Sequence, residues 1–257
     1  IYNTFLMKNY LLLIEKIVLY FCILIITFSS FVFLYENKEK IFVKLKRTAT
    51  NTNYAQEDKK WFKEIISNPG YILVFRHAER EKWLDVKFYD AVELENNILA
   101  ENSSFKKAVC LSTRGIEQAK MMGEYFKKIN LNIKAVVSSP SCRARQTVLL
   151  ALGKIDIIKN ELVHYGPWDE TDDFHYKNVR NILLNVPYEK GKNTIVAAHN
   201  GVIEERVVDE YPAGFTFGLN EGGFYVISKE ENRLIINHKF NNFYFFSKNI
   251  LKRKKNN

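Results

Sequence analysis

The chain has 257 residues, of which 47% are hydrophobic and 26% are charged. This balance is typical of a globular protein and excludes wholesale disorder. The formal net charge of +9 favours anionic ligands through long-range attraction without identifying them.

The first predicted element is a membrane-spanning helix. The run Ile17–Tyr35 contains no charged residue, and at helical rise it nearly crosses a bilayer core of about 30 Å. A cleaved signal peptide is the alternative, but no clear small-x-small cleavage site follows the run. We therefore predict an uncleaved single-pass anchor. Met7 precedes a plausible start, and the first six residues are interpreted as an upstream extension or an artefact.

The orientation of this anchor follows from the positive charges on its two sides. Lys8 and Lys16 precede the run, and a larger group follows it: Lys38, Lys40, Lys44, Lys46 and Arg47. This count slightly favours a cytoplasmic C-terminal domain. Anchors of this kind often deliver their domain outward, so the opposite orientation stays open.

Composition divides the chain into four parts. Residues 1–36 hold the anchor, residues 37–58 form a polar linker, residues 59–248 form the folded domain, and residues 249–257 form a basic tail. The tail is interpreted as a solvated segment and not as a nucleic-acid contact, because short basic runs are weak signals.

Within the domain, the pattern predicts helices alternating with buried strands. A short helix at Lys59–Ser67 and a longer helix after a Ser112 cap are expected. The predicted buried strands are Tyr71–Phe75, Ala135–Val137 and Thr194–Ala198, and a hairpin is predicted from Phe224–Ser228 and Arg233–Ile236. This alternation predicts an α/β fold in which a mostly parallel sheet is covered by helices on both faces.

The three predicted strands lead into cationic side chains. Tyr71–Phe75 is followed by Arg76 and His77, and Thr194–Ala198 is followed by His199; Arg143 comes shortly after Ala135–Val137. Ligands of open α/β sheets bind beyond the carboxyl ends of the strands, so these groups are expected to converge there. Such a cluster repels itself unless an anion fills it, and a phosphoryl group suits the planar donors of arginine.

Four segments in order resemble the signatures of the histidine phosphatase superfamily, which includes the phosphoglycerate mutases. Arg76–Glu79 reads Arg-His-Ala-Glu and resembles Arg-His-Gly-Glu. Leu111–Ala119 looks like the family's Leu-Thr-x-x-Gly-x-x-Gln-Ala helix start. Ser138–Thr147 is similar to Ser-Ser-Pro-x-x-Arg-Ala-x-Gln-Thr, and Ala198–Gly201 fits the second-histidine motif. The resemblance covers about residues 70–240 and implies a three-layer α/β/α sandwich of the phosphoglycerate mutase type.

The resemblance also implies roles for individual residues. His77 is the implied nucleophile, which accepts the phosphoryl group as a phosphohistidine. Arg76, Arg143 and His199 are implied to clamp the phosphoryl oxygens. Arg80 is either a further phosphate contact or a surface residue. No metal or organic cofactor is implied, and the substrate is expected to be a phosphorylated small molecule or a phosphoprotein.

The leaving group needs a proton from a carboxylic acid, and the sequence departs from the family pattern at the position of this acid. Glu170 is the first candidate, followed by Glu161 and Asp169.

Two rival functions stay open, a phosphoglycerate mutase-type transferase and a catalytically idle phosphate-binding protein tethered to the membrane. The mutase is disfavoured, because Trp83 falls one residue late for the mutase pattern.

Other residues near the motifs receive simpler interpretations. Gln146 and Thr147 are read as helix-start residues. Cys110 and Cys142 could pair, although nothing in their spacing demands it. A small buried thiol is favoured over a catalytic one for Cys142. The segment Trp83–Val109 is predicted to be a lid or specificity insertion.

Overall fold

The computed structural model describes residue 20 and residues 56–80, 109–163 and 173–241. The chain divides into two units, Ile1–Asp58 and Lys59–Asn257. Among the described residues, no helix is long and apolar enough to cross a membrane. Three predicted segments lie outside the described residues: the anchor Ile17–Tyr35 except Tyr20, the insertion Trp83–Val109 except Val109, and the basic tail 249–257.

Helices and strands alternate through most of the domain. The helices are α1 (56–67), α2 (Thr113–Lys128), α3 (Cys142–Leu152) and α4 (Asp173–Asn185). Short 3-10 turns lie at Asn160–Leu162 and Glu205–Val207. The strands are β1 (Ile72–Arg76), β2 (Ile133–Ser138), β3 (Ile157–Ile158), β4 (Asn193–Ala198), β5 (Phe224–Glu230) and β6 (Arg233–Phe240). The three predicted strands and the predicted hairpin are thereby confirmed.

The sheet is mixed and has the strand order β3-β2-β4-β1-β5-β6. The first four strands in this order are parallel to one another, whereas β5 is antiparallel to β1 and β6 is antiparallel to β5. All six residues of β4 are buried, because helices cover both faces of the central strands. The parallel part of the sheet therefore has the strand ends of β1, β2 and β4 at one edge.

Alternate residues of β1 enter two separate hydrophobic cores, one on each face of the sheet. Ile72 and Val74 belong to the core that includes Val179 of α4, whereas Leu73 and Phe75 belong to the opposite core. The opposite core also contains side chains of the other three helices: Phe62, Ile65, Met122, Phe126, Ala144 and Val148. The architecture therefore has three layers, as the alternating pattern predicted.

The predicted start of α2 is also confirmed, and its cause is a side-chain cap. The Ser112 hydroxyl accepts a hydrogen bond from the backbone N–H of Gly115 at 3.1 Å. This bond satisfies one of the amide groups that the first helical turn leaves without a partner in the helix. The cap fixes the helix start directly beside the loop that follows β1, since Ser112 N donates to the Glu79 carbonyl.

Helices α2 and α3 approach closely at Gly123. A Cβ atom at this position would stand 2.3 Å from the carbonyl oxygen of Ala151. We therefore expect Gly123→Ala to lower the free energy of unfolding by about 1–3 kcal/mol, because the helices must move apart. Urea unfolding measures this change, and Lys120→Ala on the exposed side of α2 serves as the control. Equal stability of Gly123→Ala and the wild type would contradict the close packing.

Candidate functional site

The two motif histidines lie side by side at the carboxyl edge of the sheet. Strands β1 and β4 are parallel neighbours, with Arg76 paired to Ala198, so the residue that follows each strand reaches the same place. The ring centroids of His77 and His199 are 5.3 Å apart. The backbone N–H of His77 also donates to the Ala198 carbonyl at 3.1 Å. The structure thus brings together two residues that the sequence separates widely.

Arginine side chains surround the first histidine. Arg143 lies in the first turn of α3, next to strand β2, and is only 2% exposed. Its positive charge acts on His77, as do the charges of Arg76 and Arg80. The predicted convergence of guanidinium groups and imidazole rings is therefore present, and donors of this kind suit an anion. The catalytic roles of these residues stay predictions.

The His77 ring is held in one tautomer and without charge. Burial lowers its pKa well below the usual value of 6.5, and the positive charge of Arg143 lowers it further. Nδ1 lies 2.7 Å from the carbonyl oxygen of Ala78. A carbonyl oxygen can only accept, so Nδ1 must carry the hydrogen and Nε2 must carry the lone pair. The ring is therefore a neutral imidazole whose Nε2 can act as a nucleophile.

This lowered pKa predicts a loss of stability in mild acid. Below pH 6.5, the ordinary value for histidine, the unfolded chain binds a proton at His77 that the folded chain does not bind. The free energy of unfolding should therefore fall with decreasing pH in this range, with a contribution of up to about 1.4 kcal/mol per pH unit. Urea unfolding on both sides of that pH measures the slope. His77→Asn should show a shallower slope than the wild type, and equal slopes would refute the assignment.

The second histidine is held by two serine hydroxyls that the sequence had not singled out. Nε2 of His199 lies 3.0 Å from Oγ of Ser139 and 3.1 Å from Oγ of Ser141. Both serines are fully buried in the loop between β2 and α3. Both serines lie in the segment Ser138–Thr147 that resembles a family motif, but the motif gave neither of them a role.

Gln146 and Thr147 connect parts of the site and are not merely helix-start residues. Oγ1 of Thr147 accepts from the backbone N–H of Ala78 at 2.9 Å and donates to the Arg143 carbonyl at 2.7 Å. Oε1 of Gln146 accepts from the backbone N–H of Leu111 at 2.8 Å. The sequence interpretation put both residues at the start of the helix. Helix α3 begins at Cys142, so both lie in its second turn, where they make these contacts. One hydroxyl thereby links the His77 loop to the arginine helix.

A turn directly before β5 closes the other side of the His77 loop. The backbone N–H of Gly222 donates to the His77 carbonyl at 3.0 Å. A carboxylate oxygen of Glu221 lies 3.6 Å from the Arg76 guanidinium. The backbone carbonyl of Glu221 accepts a hydrogen bond from Nε2 of Gln118. Gly222 has φ +76°, and a Cβ there would stand 2.6 Å from Gln118 Nε2, so the turn favours glycine at this position.

The structure describes only one of the three candidate proton donors, and it also describes Arg80. Glu170 and Asp169 lie outside the described residues. Glu161 lies half-exposed in a 3-10 turn, beside the fully buried Leu162. Arg80 is half-buried and forms an isolated β-bridge with Leu111, and its charge reaches His77. The proton-donor role and the phosphate-contact role both stay predictions.

The two domain cysteines form a disulfide, contrary to the favoured interpretation of Cys142 as a free thiol. Cys110 and Cys142 are joined across a sequence separation of 32, with their Cα atoms 4.8 Å apart. The spacing alone could not reveal the pair, because closeness depends on how the Cys110 segment packs against α3. The bond ties the residue before Arg143 to the segment before Leu111. It also removes the alternative of a cysteine nucleophile at Cys142.

Within residues 56–80, 109–163 and 173–241, no group of three or more His, Cys, Asp or Glu side chains is arranged to hold a metal ion.

A family model matches the part of the chain that holds the first three motifs. Residues 72–181 match the family model of the histidine phosphatase superfamily (branch 1). No curated protein matches the chain. Among solved structures, the chain is similar to the protein histidine phosphatase SixA complexed with tungstate, with 15% identity, a TM-score of 0.46, and coverage of 68% of this chain and 99% of that chain.

Two further solved structures show similarities of the same size. A phosphoserine phosphatase from Entamoeba histolytica in complex with phosphoserine has 13% identity, a TM-score of 0.42, and coverage of 68% of this chain and 98% of that chain. The alpha-ribazole phosphatase from Shigella flexneri has 15% identity, a TM-score of 0.44, and coverage of 66% and 96% respectively.

The family match includes the first three motifs, and the structure places the fourth motif, with His199, beside His77. Residues 72–181 of the chain are therefore similar to the histidine phosphatase superfamily (branch 1).

Proposed function

We propose that the domain is a phosphohydrolase that removes a phosphoryl group from a phosphomonoester or a phosphoprotein through a phosphohistidine on His77. The observation that supports this most directly is the neutral, buried His77 ring, which has its Nδ1–H fixed by the Ala78 carbonyl among arginine side chains. This combination orients a nucleophile and surrounds it with positive charge.

The first chemical step is an in-line attack on phosphorus. Nε2 of His77 forms the N–P bond while the bond from phosphorus to the leaving oxygen breaks. The Ala78 carbonyl stabilises the positive charge that develops on the ring, because it accepts the Nδ1–H hydrogen bond. Arg76, Arg143 and His199 are proposed to bind the non-bridging oxygens and to offset their negative charge.

The leaving oxygen then takes a proton, and water completes the cycle. We propose Glu170 as the proton donor, with Glu161 and Asp169 as the alternatives, because a carboxylic acid near the site can serve as acid and then as base. Water attacks the phosphohistidine, the N–P bond breaks, and inorganic phosphate leaves with His77 neutral again. The net reaction consumes one water for each phosphoryl group released.

Trapping the intermediate tests this proposal. The purified full-length chain in detergent is incubated with an aryl phosphate, quenched, and examined for covalent phosphate that is labile in acid and stable in alkali. Peptide mapping should place the phosphate on His77, and turnover should persist with a metal chelator. A chain that binds phosphate yet neither turns over the aryl phosphate nor becomes phosphorylated would instead be an idle phosphate-binding protein. Transfer to a second hydroxyl in place of water would identify a mutase.

We also propose that the run Ile17–Tyr35 anchors the chain in a membrane. Its lack of charged residues over nearly the thickness of a bilayer core supports this. The chain should stay with the membrane fraction after alkaline carbonate extraction. A variant with two lysines introduced near the middle of the run should be released, since charged residues at the centre of a span are costly. Release of the wild-type chain would rule out the anchor.

A further inference from the structure

The Nε2 atom of His199 lies between two hydroxyl oxygens. Ser139 Oγ is 3.0 Å from this nitrogen and Ser141 Oγ is 3.1 Å from it. The two serines also contact each other, because the backbone N–H of Ser141 donates to Ser139 Oγ at 3.3 Å. A hydroxyl can donate or accept, so this pair can serve the ring in either protonation state.

Binding of a phosphoryl group changes the protonation state that is favoured for the His199 ring, and with it the hydrogen-bond partner that Nε2 needs. A dianion beside His199 favours the protonated ring, in which Nε2 carries a hydrogen. Arg76, Arg80 and Arg143 lie near the adjacent His77 ring and oppose any further positive charge. The serine oxygens can then accept the Nε2–H. Hydrogen bonds from a charged donor are stronger than neutral ones, and a buried N–H without an acceptor is costly.

We propose that Ser139 and Ser141 are positioning residues that act through His199: their oxygens hold the orientation of its ring and stabilise its charged form while it contacts the phosphoryl group. This inference rests on the proposed function, in which His199 binds a phosphoryl oxygen.

Removal of both hydroxyls should lower catalytic efficiency. We expect the double variant Ser139→Ala/Ser141→Ala to lose roughly 10–100-fold in kcat/KM on an aryl phosphate, the range expected for hydrogen bonds to a charged group. Each single variant should lose less, since one oxygen stays in reach. Ser138→Ala is a matched control: Ser138 is equally buried, but its hydroxyl donates to the Ser139 carbonyl at 2.8 Å. It should change kcat/KM far less than the double variant.

A double-mutant cycle tests whether the serines act through the histidine. In a His199→Ala background the two serine substitutions should cost almost nothing further, because the group that they hold is absent. An equal loss in both backgrounds would show a structural role independent of His199 and would overturn the proposal.

Nuclear magnetic resonance provides a readout that does not depend on turnover. The full-length chain in detergent, labelled with ¹⁵N-histidine, is titrated with pH in the presence of inorganic phosphate, and the His199 signals are assigned from their loss in His199→Ala. In the double serine variant the ring should lose its proton at lower pH than in the wild type or Ser138→Ala. An active enzyme without this shift contradicts the serine proposal alone. An inactive chain that shows the shift contradicts the proposed function alone.

Discussion

Replacement of His77 by alanine should lower kcat/KM on an aryl phosphate by at least ~10³-fold, because the proposed mechanism needs Nε2 of this ring to form the N–P bond. The ring is only 3% exposed and is fixed through Nδ1 by the Ala78 carbonyl. A water molecule in the space left by the side chain would lack both the nucleophilicity and the fixed direction of Nε2. Steady-state kinetics on the full-length chain measures the loss, and the phosphorylated intermediate should disappear with it.

His238, which lies outside the candidate site, serves as the control for this prediction. His238 lies on β6 and stacks against Trp61, with ring centroids 6.0 Å apart. His238→Ala should retain turnover, even where packing at Trp61 costs some stability. Turnover by His77→Ala equal to that of the wild type would exclude the phosphohistidine mechanism.

Loss of the Cys110–Cys142 disulfide should lower the free energy of unfolding by about 3–4 kcal/mol, as expected for a closed loop of this length. The double variant Cys110→Ala/Cys142→Ala should unfold at lower urea concentration than the oxidised wild type. A dithiol reductant should shift the wild type in the same direction and leave the double variant unchanged. Free thiols at both Cys110 and Cys142 after unfolding without reductant would contradict the disulfide.

The same substitution should also affect catalysis. Cys142 directly precedes Arg143 at the start of α3, and its partner Cys110 precedes Leu111, whose N–H bonds to Gln146. The bond therefore restrains the helix turn that carries the buried guanidinium. We expect kcat/KM to fall in the cysteine variant even under conditions where the chain is fully folded. Unchanged kinetics would show that hydrogen bonds alone hold Arg143 in place.

The disulfide bears on the predicted side of the membrane. The Lys and Arg count slightly favours a cytoplasmic domain, whereas disulfides persist mainly in oxidising compartments. Alkylation of thiols in intact cells, before and after reduction, measures the state of the pair. A fully oxidised pair would support a domain on the side away from the cytoplasm.

Much of the fold could be predicted because its signals are local. The strand predicted at Tyr71–Phe75 is found at Ile72–Arg76, and the helix predicted after Ser112 begins at Thr113. Continuous apolar runs, helical spacing and a capping serine are all readable within a few residues. The main site residues were predictable for a related reason, since each lies at or shortly after the end of a predicted strand.

The contacts that hold the site together could not be predicted, because they depend on spatial neighbours. Ser139 and Ser141 become informative only once β4 places His199 beside them. Glu221 is far from Arg76 in sequence and meets it through the turn before β5. The Cys110–Cys142 pair likewise depends on how the segment before α2 packs against α3.

The strand order has a consequence for the time at which the candidate site can form. Strands β1 and β2 do not pair with each other, because β4 lies between them and pairs with both. During synthesis on the ribosome, the His77 strand and the strand before Arg143 emerge long before the segment that joins them. A nascent chain should therefore lack the paired His77 and Arg143 strands until the β4 segment has emerged and inserted between them.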